Sequence, residues 1–484
     1  MTHNYFLKCP VCETVTRMRT PIGYVPKTPV RVHCGKCDTL LTGEFFIDND
    51  KLRIKFTPLN CEEVLQQSFD FFGEASGEML CNKVIACHAE GEDIALPPMG
   101  RVSPVFDFMS SIPEPARIRF INYACYCISV VDNWDQSRIK YDLYLNKKKD
   151  LLFEKYAEEA DKLLCEKDSD LGALQLAFRS LLYQLGGFFK TLDLEKILTQ
   201  INYHFSHMKP EQLKTYLGQL RENDRLSLAQ NKVFKIMYDF VRVSINLIPA
   251  IGVLYYTEPD HIDKEQLGIS TCSFEDIKSF YQDTYESLID CCDIIVGLDN
   301  IENRGNFDTF KTNMTLEGFR KQPKGARIHG LTEPEFFVQI FNLPMVSSSL
   351  RNAIGHSDYV YNGTKQTISY KEKAGNSTVL TTNLIDVALE CCNMMRSTLV
   401  LAFIVYNLMR YDIRKDSEPM PMHPMLYKNV RTQSFCPCGS KRKYKQCCKS
   451  IIDQQTYTSE MLDYPMKAEF TWKAPEDWIK MLQK

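Results

Sequence analysis

The chain has 484 residues and a mass of 56.0 kDa, too much for one small core, and its length suggests two to four folded units. Hydrophobic residues make up 44% and charged residues 25%, the balance of an ordinary globular protein. The formal net charge of -3 and pI near 6.3 exclude a global pull toward nucleic acid, so any such contact must come from a local patch.

The N-terminal stretch MTHNYFLKCPVCETVTRMRT lacks the basic lead, apolar core and small-residue cleavage site of a secretory signal, so a cytoplasmic protein with reduced thiols is expected. Residues 1–58 read as a small β module, with hairpins in PIGYVPKTPVRVHCGKC and, around an Asn49-Asp50 turn, in GEFFIDNDKLRIKF. Cys9-x2-Cys12 and Cys34-x2-Cys37 stand 21 residues apart within it. Two such tight turns supply four thiolates to one tetrahedral Zn²⁺ and leave no open position for water, which predicts a structural zinc ribbon with His33 as a neighbour.

From Asn60 the apolar spacing changes to three and four, and residues 60–260 read as a helical region of unassigned role. CEEVLQQSFDFFGEASGEMLCNKVIACHAE is expected to begin it as an amphipathic helix. The segments EPARIRFINYACYCISVVDNW, KKKDLLFEKYAEEADKLLCEK and GALQLAFRSLLYQLGGFFKTL continue it, and Pro249 should kink or end a longer helix begun at Arg225. Residues 265–415 then read as a helical bundle. It starts with SFEDIKSFYQDTYESLIDCCDIIVGLDNI, crosses a polar basic linker, resumes at Thr332 with a capping-box spacing to Glu335, and passes through SLRNAIGHSDY into a hairpin. A long apolar helix from Leu384 to Arg410 closes the bundle. Its STLVLAFIVYNLM core has only 13 residues between Arg396 and Arg410, too few to span a bilayer, so a buried core helix and no membrane association are expected.

Nineteen cysteines are present, and eight fall in two metal-like sets. The second set, Cys436, Cys438, Cys447 and Cys448, lies in FCPCGSKRKYKQCCK within residues 430–450, a piece too small to hold a core without metal. Its Cys-Pro-Cys-Gly-Ser, basic run, Tyr-Lys and Cys-Cys resemble the SEC-C motif, the zinc-binding tail known from the bacterial secretion ATPase. That resemblance implies a second structural zinc and contact with a partner protein or ribosome. A tail of residues 451–484 carries Trp472 and Trp478.

In a helix, Asn352 and His356 share a face, and Arg351 is long enough to reach the same pocket. LRNAIGHSDY resembles the HEPN superfamily, whose hallmark is an Arg, a polar residue that is often Asn, and a His after four to six positions. The resemblance covers roughly Phe274 to Tyr411. It implies a mainly α fold built on an up-and-down bundle, and a metal-independent endoribonuclease of toxin or antiphage-defence type that works as a homodimer. Arg351, Asn352 and His356 would be catalytic. Other members bind nucleotides or proteins without catalysis, so a sensor or adaptor is the alternative, and a ribosome- or chaperone-associated zinc protein is a further one.

The residue types suit the chemistry. RNA is cut without a metal when its own 2′-hydroxyl attacks the adjacent phosphorus and the protein moves protons and stabilises the dianionic centre. An imidazole titrates at about 6.5 in water, which suits base or acid work, and a guanidinium offers a permanently charged fork to phosphate oxygens. The upstream basic stretch FRKQPKGARIHG, with Arg320, Lys321, Lys324 and Arg327, could dock RNA phosphates, and Tyr359 could assist.

Overall fold

A computed structural model describes residues 2–21, 23, 25–48, 53–65, 68–87, 104–162, 165–166, 168–185, 197, 200–201, 204–205, 208–259, 262–332, 335–343, 346–371, 378–414, 430–436 and 442–453. Apolar alternation organises its first part. In β3 (Lys27–His33), Thr28, Val30 and Val32 point inward while the residues between them are less buried. This strand pairs antiparallel with β4 (Leu40–Asp48), which pairs with β5 (Arg53–Pro58), in register Val32 to Leu41 and Phe45 to Phe56. A second sheet joins β1 (Thr2–Lys8) and β2 (Val15–Pro21) to β6 (Glu62–Val64), β7 (Phe71–Glu74) and β9 (Ile85–Ala86). Tyr5, Leu7, Met18, Val30, Leu41, Phe45 and Phe56 make one core between these sheets, with Cys9 and Cys34 at its edge. The Asn49-Asp50 turn lies outside the described residues.

Residues 61–87 correct the expected helix. They form β6, β7, β8 (Cys81–Asn82) and β9, and β7 lies parallel to β2 with Met18 opposite Gly73. The three-and-four spacing of FDFFGE was real, but pairing with distant strands decided the conformation, as tertiary context does for aromatic residues that favour both states. Described helix begins only at Pro104.

Helices follow as α1 (Pro104–Ser111), α2 (Glu114–Leu145), α3 (Lys149–Lys162), α4 (Asp170–Gln184), α5 (Pro210–Glu222), α6 (Arg225–Ser244) and α7 (Ile248–Val253). Pro249 sits in the first turn of α7, where its missing N–H costs nothing, so the break precedes it. After β10 (Leu267–Gly268), which pairs with β8, come α8 (Phe274–Arg304), α9 (Leu316–Lys321), α10 (Lys324–His329), α11 (Phe336–Phe341) and α12 (Ser348–His356). The expected linker thus contains two short helices. The residue before α11 is Glu335, not Thr332, whose hydroxyl instead donates to the His329 carbonyl at 2.8 Å. The capping box belongs to α8, where the Asp276 carboxylate accepts from the Ser273 N–H at 2.7 Å.

A three-stranded meander, β11 (Tyr359–Asn362), β12 (Thr367–Lys371) and β13 (Val379–Asn383), leads into α13 (Leu384–Arg414). This last helix packs against α4, α6, α8 and α11 and centres the large helical core. It is long and apolar enough to cross a membrane by length and composition, yet 78% of its most apolar window is buried inside the fold. The fold is therefore mainly α with small sheets, most of them N-terminal.

Of the eleven cysteines outside the two sets, nine are buried, and Cys61 and Cys165 are half-buried. Burial pushes the thiols of Cys125, Cys127 and Cys291 up to about 12, so they act as small hydrophobes.

Candidate functional site

The first cysteine set is built by a repeated signature, Cys-Pro-Val-Cys-Glu-Thr and Cys-Gly-Lys-Cys-Asp-Thr. In each copy the acidic residue turns left-handed, Glu13 at φ 58 and Asp38 at φ 57. Its N–H bonds back to the first cysteine carbonyl at 3.0 and 2.9 Å, and the first cysteine N–H bonds forward to the threonine carbonyl. This geometry brings both thiols of a turn to one side, the first of each pair, Cys9 and Cys34, being buried. Sγ atoms of Cys9 and Cys37 lie 3.6 Å apart and those of Cys12 and Cys34 3.5 Å, with all four within 4.8 Å of one another. Four sulfurs at about 2.3 Å from a tetrahedral Zn²⁺ would stand about 3.8 Å apart, so the set fits a closed structural site. The Thr14 hydroxyl, 3.2 Å from Cys12 Sγ, brings that thiol down to about 6, and Thr39 lowers Cys37 in the same way, which favours the thiolates a metal needs. Burial instead raises Cys34 to about 12.

His33 is a neighbour of this site. Its Nδ1 donates to the Asp38 carbonyl at 2.7 Å and its ring stands edge-on to Tyr361 at 5.6 Å. Asp38 reaches further, into the turn between β11 and β12. Its carboxylate accepts from the Gly363 N–H at 2.9 Å, the Thr364 N–H at 2.7 Å and the Thr364 hydroxyl at 2.6 Å. Gly363 admits no side chain, because a Cβ would run into the His33 ring. The second knuckle is thus fastened to the strand pair that follows the Arg-Asn-His helix.

In the second set, Cys436, Cys447 and Cys448 have their sulfurs within 4.8 Å of one another, and Cys438 lies outside the described residues. A short bridge from Phe435 to Lys443, a turn of 3₁₀ helix over Tyr444–Gln446 and α14 (Lys449–Asp453) shape this piece. The tail with Trp472 and Trp478 also lies outside the described residues.

Arg351, Asn352 and His356 all sit on α12. The Ser347 hydroxyl caps this helix by accepting from the Leu350 N–H at 3.2 Å, and Ser357 ends it in the left-handed region at φ 55. Leu350, Ala353 and Ile354 face the core, which leaves Asn352 and His356 exposed on the opposite side, about 40° apart around the axis. Arg351, about 140° from His356, lies on the flank toward α8. It forms an ion pair with Glu286, its Nη1 donates to the Asn352 side-chain amide oxygen Oδ1 at 2.6 Å, and its guanidinium stands 5.9 Å from the Tyr285 ring. His356 has no hydrogen bond or ion pair among the described residues.

Other residues place this helix. Glu390 of α13 accepts from the Ser347 N–H at 3.1 Å and from Tyr281, whose hydroxyl also lies 3.0 Å from the Ser347 carbonyl. Burial raises the Glu390 carboxyl, against the pull of those two bonds. Tyr359 packs edge-on against Phe274 at 5.2 Å, and its hydroxyl accepts from Lys278 at 3.0 Å.

The expected phosphate contacts face α8. Arg320 Nε bonds Asp293 at 2.7 Å, Lys324 pairs with Glu286 and with Asp290 at 3.2 Å, and Arg327 approaches Asp290 at 3.6 Å. Lys321 is largely exposed and pairs with Glu317 at 3.2 Å. Glu286, Glu390, Tyr281 and Asp38 were missed in the sequence. Only the repeated Cys-x-x-Cys-acid-Thr signature could have singled out one of them, Asp38.

Comparison with known proteins returned no match among family models, curated proteins or solved structures.

Proposed function

We propose that the protein is a metal-independent endoribonuclease of toxin or antiphage-defence type, with the active site on α12. The observation that carries this reading is the capped Arg351-Asn352-x3-His356 helix, which presents Asn352 and His356 to solvent beside a partly buried guanidinium. The RNA 2′-hydroxyl loses its proton to an imidazole as its oxygen attacks phosphorus, and the 5′-oxygen leaves with a proton. His356 serves these transfers. Arg351 turns its fork to the non-bridging oxygens, and Asn352, already bonded to it, holds the orientation. A homodimer places two such helices around one strand. Arg320, Lys321, Lys324, Arg327 and Tyr359 contact the substrate, and the two cysteine sets hold structural zinc and meet a protein or ribosome partner in the cytoplasm.

One observation favours a second reading, a non-catalytic nucleotide- or protein-binding adaptor: Glu286 already engages the Arg351 guanidinium. Incubation of the purified, zinc-loaded chain with total RNA in buffer without added divalent metal separates the two. Cleavage by wild type, lost in His356→Ala and Arg351→Ala, with cyclic phosphate ends, is the expected result. Cleavage that survives both substitutions, or that needs added divalent metal, overturns the nuclease reading.

A further inference from the structure

Three carboxylates on successive turns of α8 gather six cations from four other helices. Glu286 meets Arg351 of α12 and Lys324 of α10. Asp290 meets Lys232 of α6 at 2.8 Å, together with Lys324 and Arg327 of α10. Asp293, fully buried, is shared by Arg225 of α6 at 2.6 Å and Arg320 of α9 at 2.7 Å. The exposed Lys321 and Glu317 beside Arg320 cancel each other. Six positive and three negative groups leave a surplus of three positive charges along a strip about 10 Å long, seven residues of helix at about 1.5 Å each.

A lattice that existed only to join helices would match its charges, because a half-buried unbalanced charge is costly. Here each carboxylate serves two or three cations, and buried donors remain unpartnered at Arg320 Nη2, Arg327 Nε and Arg351 Nε. Burial would raise the Asp290 carboxyl, but Lys232 and then Lys324 hold it below its ordinary value, so Asp290 stays ionised at neutral pH.

We propose that this strip is a backbone-phosphate track for single-stranded RNA, running along α8 and ending at Arg351. Three phosphates would balance the surplus, accepting from the partly exposed heads of Lys232, Lys324 and Arg351. The track extends the substrate contacts to Arg225 and Lys232 and gives Glu286, Asp290 and Asp293 a role as built-in competitors for RNA. It rests on RNA being the ligand, as proposed above, and does not require that the RNA be cut.

Anisotropy of a labelled single-stranded RNA, with the full-length, zinc-loaded His356→Ala chain as a non-cutting form in buffer without added divalent metal, tests this. Binding should weaken with salt with a log-log slope of about -2, as about three phosphate contacts to a single strand require. Lys232→Gln and Lys324→Gln should each weaken binding about three- to tenfold at low salt and flatten the slope by about 0.7. Lys148→Gln, an exposed lysine in the turn between α2 and α3 and outside the track, should stay within about twofold. Asp290→Asn should tighten binding severalfold, a gain that a purely structural lattice does not produce. No binding, equal effects of the three lysine substitutions, or an Asp290→Asn chain that folds and binds no more tightly would overturn the track. Wild-type cleavage with unchanged binding in the lysine variants would remove the track and keep the nuclease. Track-dependent binding without cleavage would do the reverse.

Discussion

The two cysteine sets share a ligand chemistry and differ in what surrounds them. The N-terminal set closes between two sheets, and Asp38, one residue beyond its last thiol, holds the turn of the β11–β12 hairpin through three hydrogen bonds. In the C-terminal piece the described backbone bonds run between its own residues, from Cys436 to Arg442, Tyr444 to Ser434 and Lys445 to Thr432. A metal in the first site would therefore tie its own loops to the β11–β12 hairpin. A metal in the second would join the two ends of the piece that those backbone bonds shape.

The largest test of this contrast is metal removal. Wild type should carry about two zinc ions per chain by elemental analysis. Cys34→Ser with Cys37→Ser should remove one and cost several kcal/mol, because ligation energy in such modules is folding energy. Amide exchange should then rise in residues 359–371 as well as in the ribbon. Cys447→Ser with Cys448→Ser should also remove one zinc, yet leave the main melting transition within about 1 °C. Equal melting shifts for the two pairs would erase the distinction.

A smaller effect concerns Asp299, fully buried in α8 and bonded to the Phe337 and Val338 N–H groups at 2.9 and 2.8 Å. Burial raises its carboxyl to about 7, against those two bonds. Its folded pKa exceeds an unfolded value of about 3.9, so its contribution to stability is full below that pH and is lost as pH rises through about 7. Melting temperature should fall between pH 5 and 8 in wild type, and Asp299→Asn should flatten that slope. An unchanged slope would place the titration elsewhere.

Asp38→Ala should cost about 1 kcal/mol, since its carboxylate is partly exposed, and should loosen the hairpin selectively by amide exchange. Smallest of all, His356→Ala should leave stability within about 0.5 kcal/mol, as expected for an exposed side chain without a hydrogen-bond or ion-pair partner among the described residues. A large loss there would mean that the imidazole is structural.

What could be read from the sequence was local. The Cys-x-x-Cys pairs, the helix from Glu114, the break before Pro249 and the apolar helix from Leu384 each carry their signal within one segment. Residues 61–87 could not be read that way, because β6 pairs with β1 and β7 with β2 across more than fifty positions. The same holds for the polar linker, whose two short helices are pinned to α8 by ion pairs, and for the Glu286 and Glu390 contacts that set the motif helix. Periodicity reports which face is apolar. It does not report which distant carboxylate a guanidinium will meet.

The most direct test of the proposed chemistry compares an RNA oligonucleotide with its 2′-deoxy counterpart of the same sequence, incubated with the zinc-loaded wild-type chain in buffer without added divalent metal. Attack by the 2′-hydroxyl demands that only the RNA be cut, with cyclic phosphate left on the upstream fragment. Equal cutting of both strands, or of neither, would contradict it.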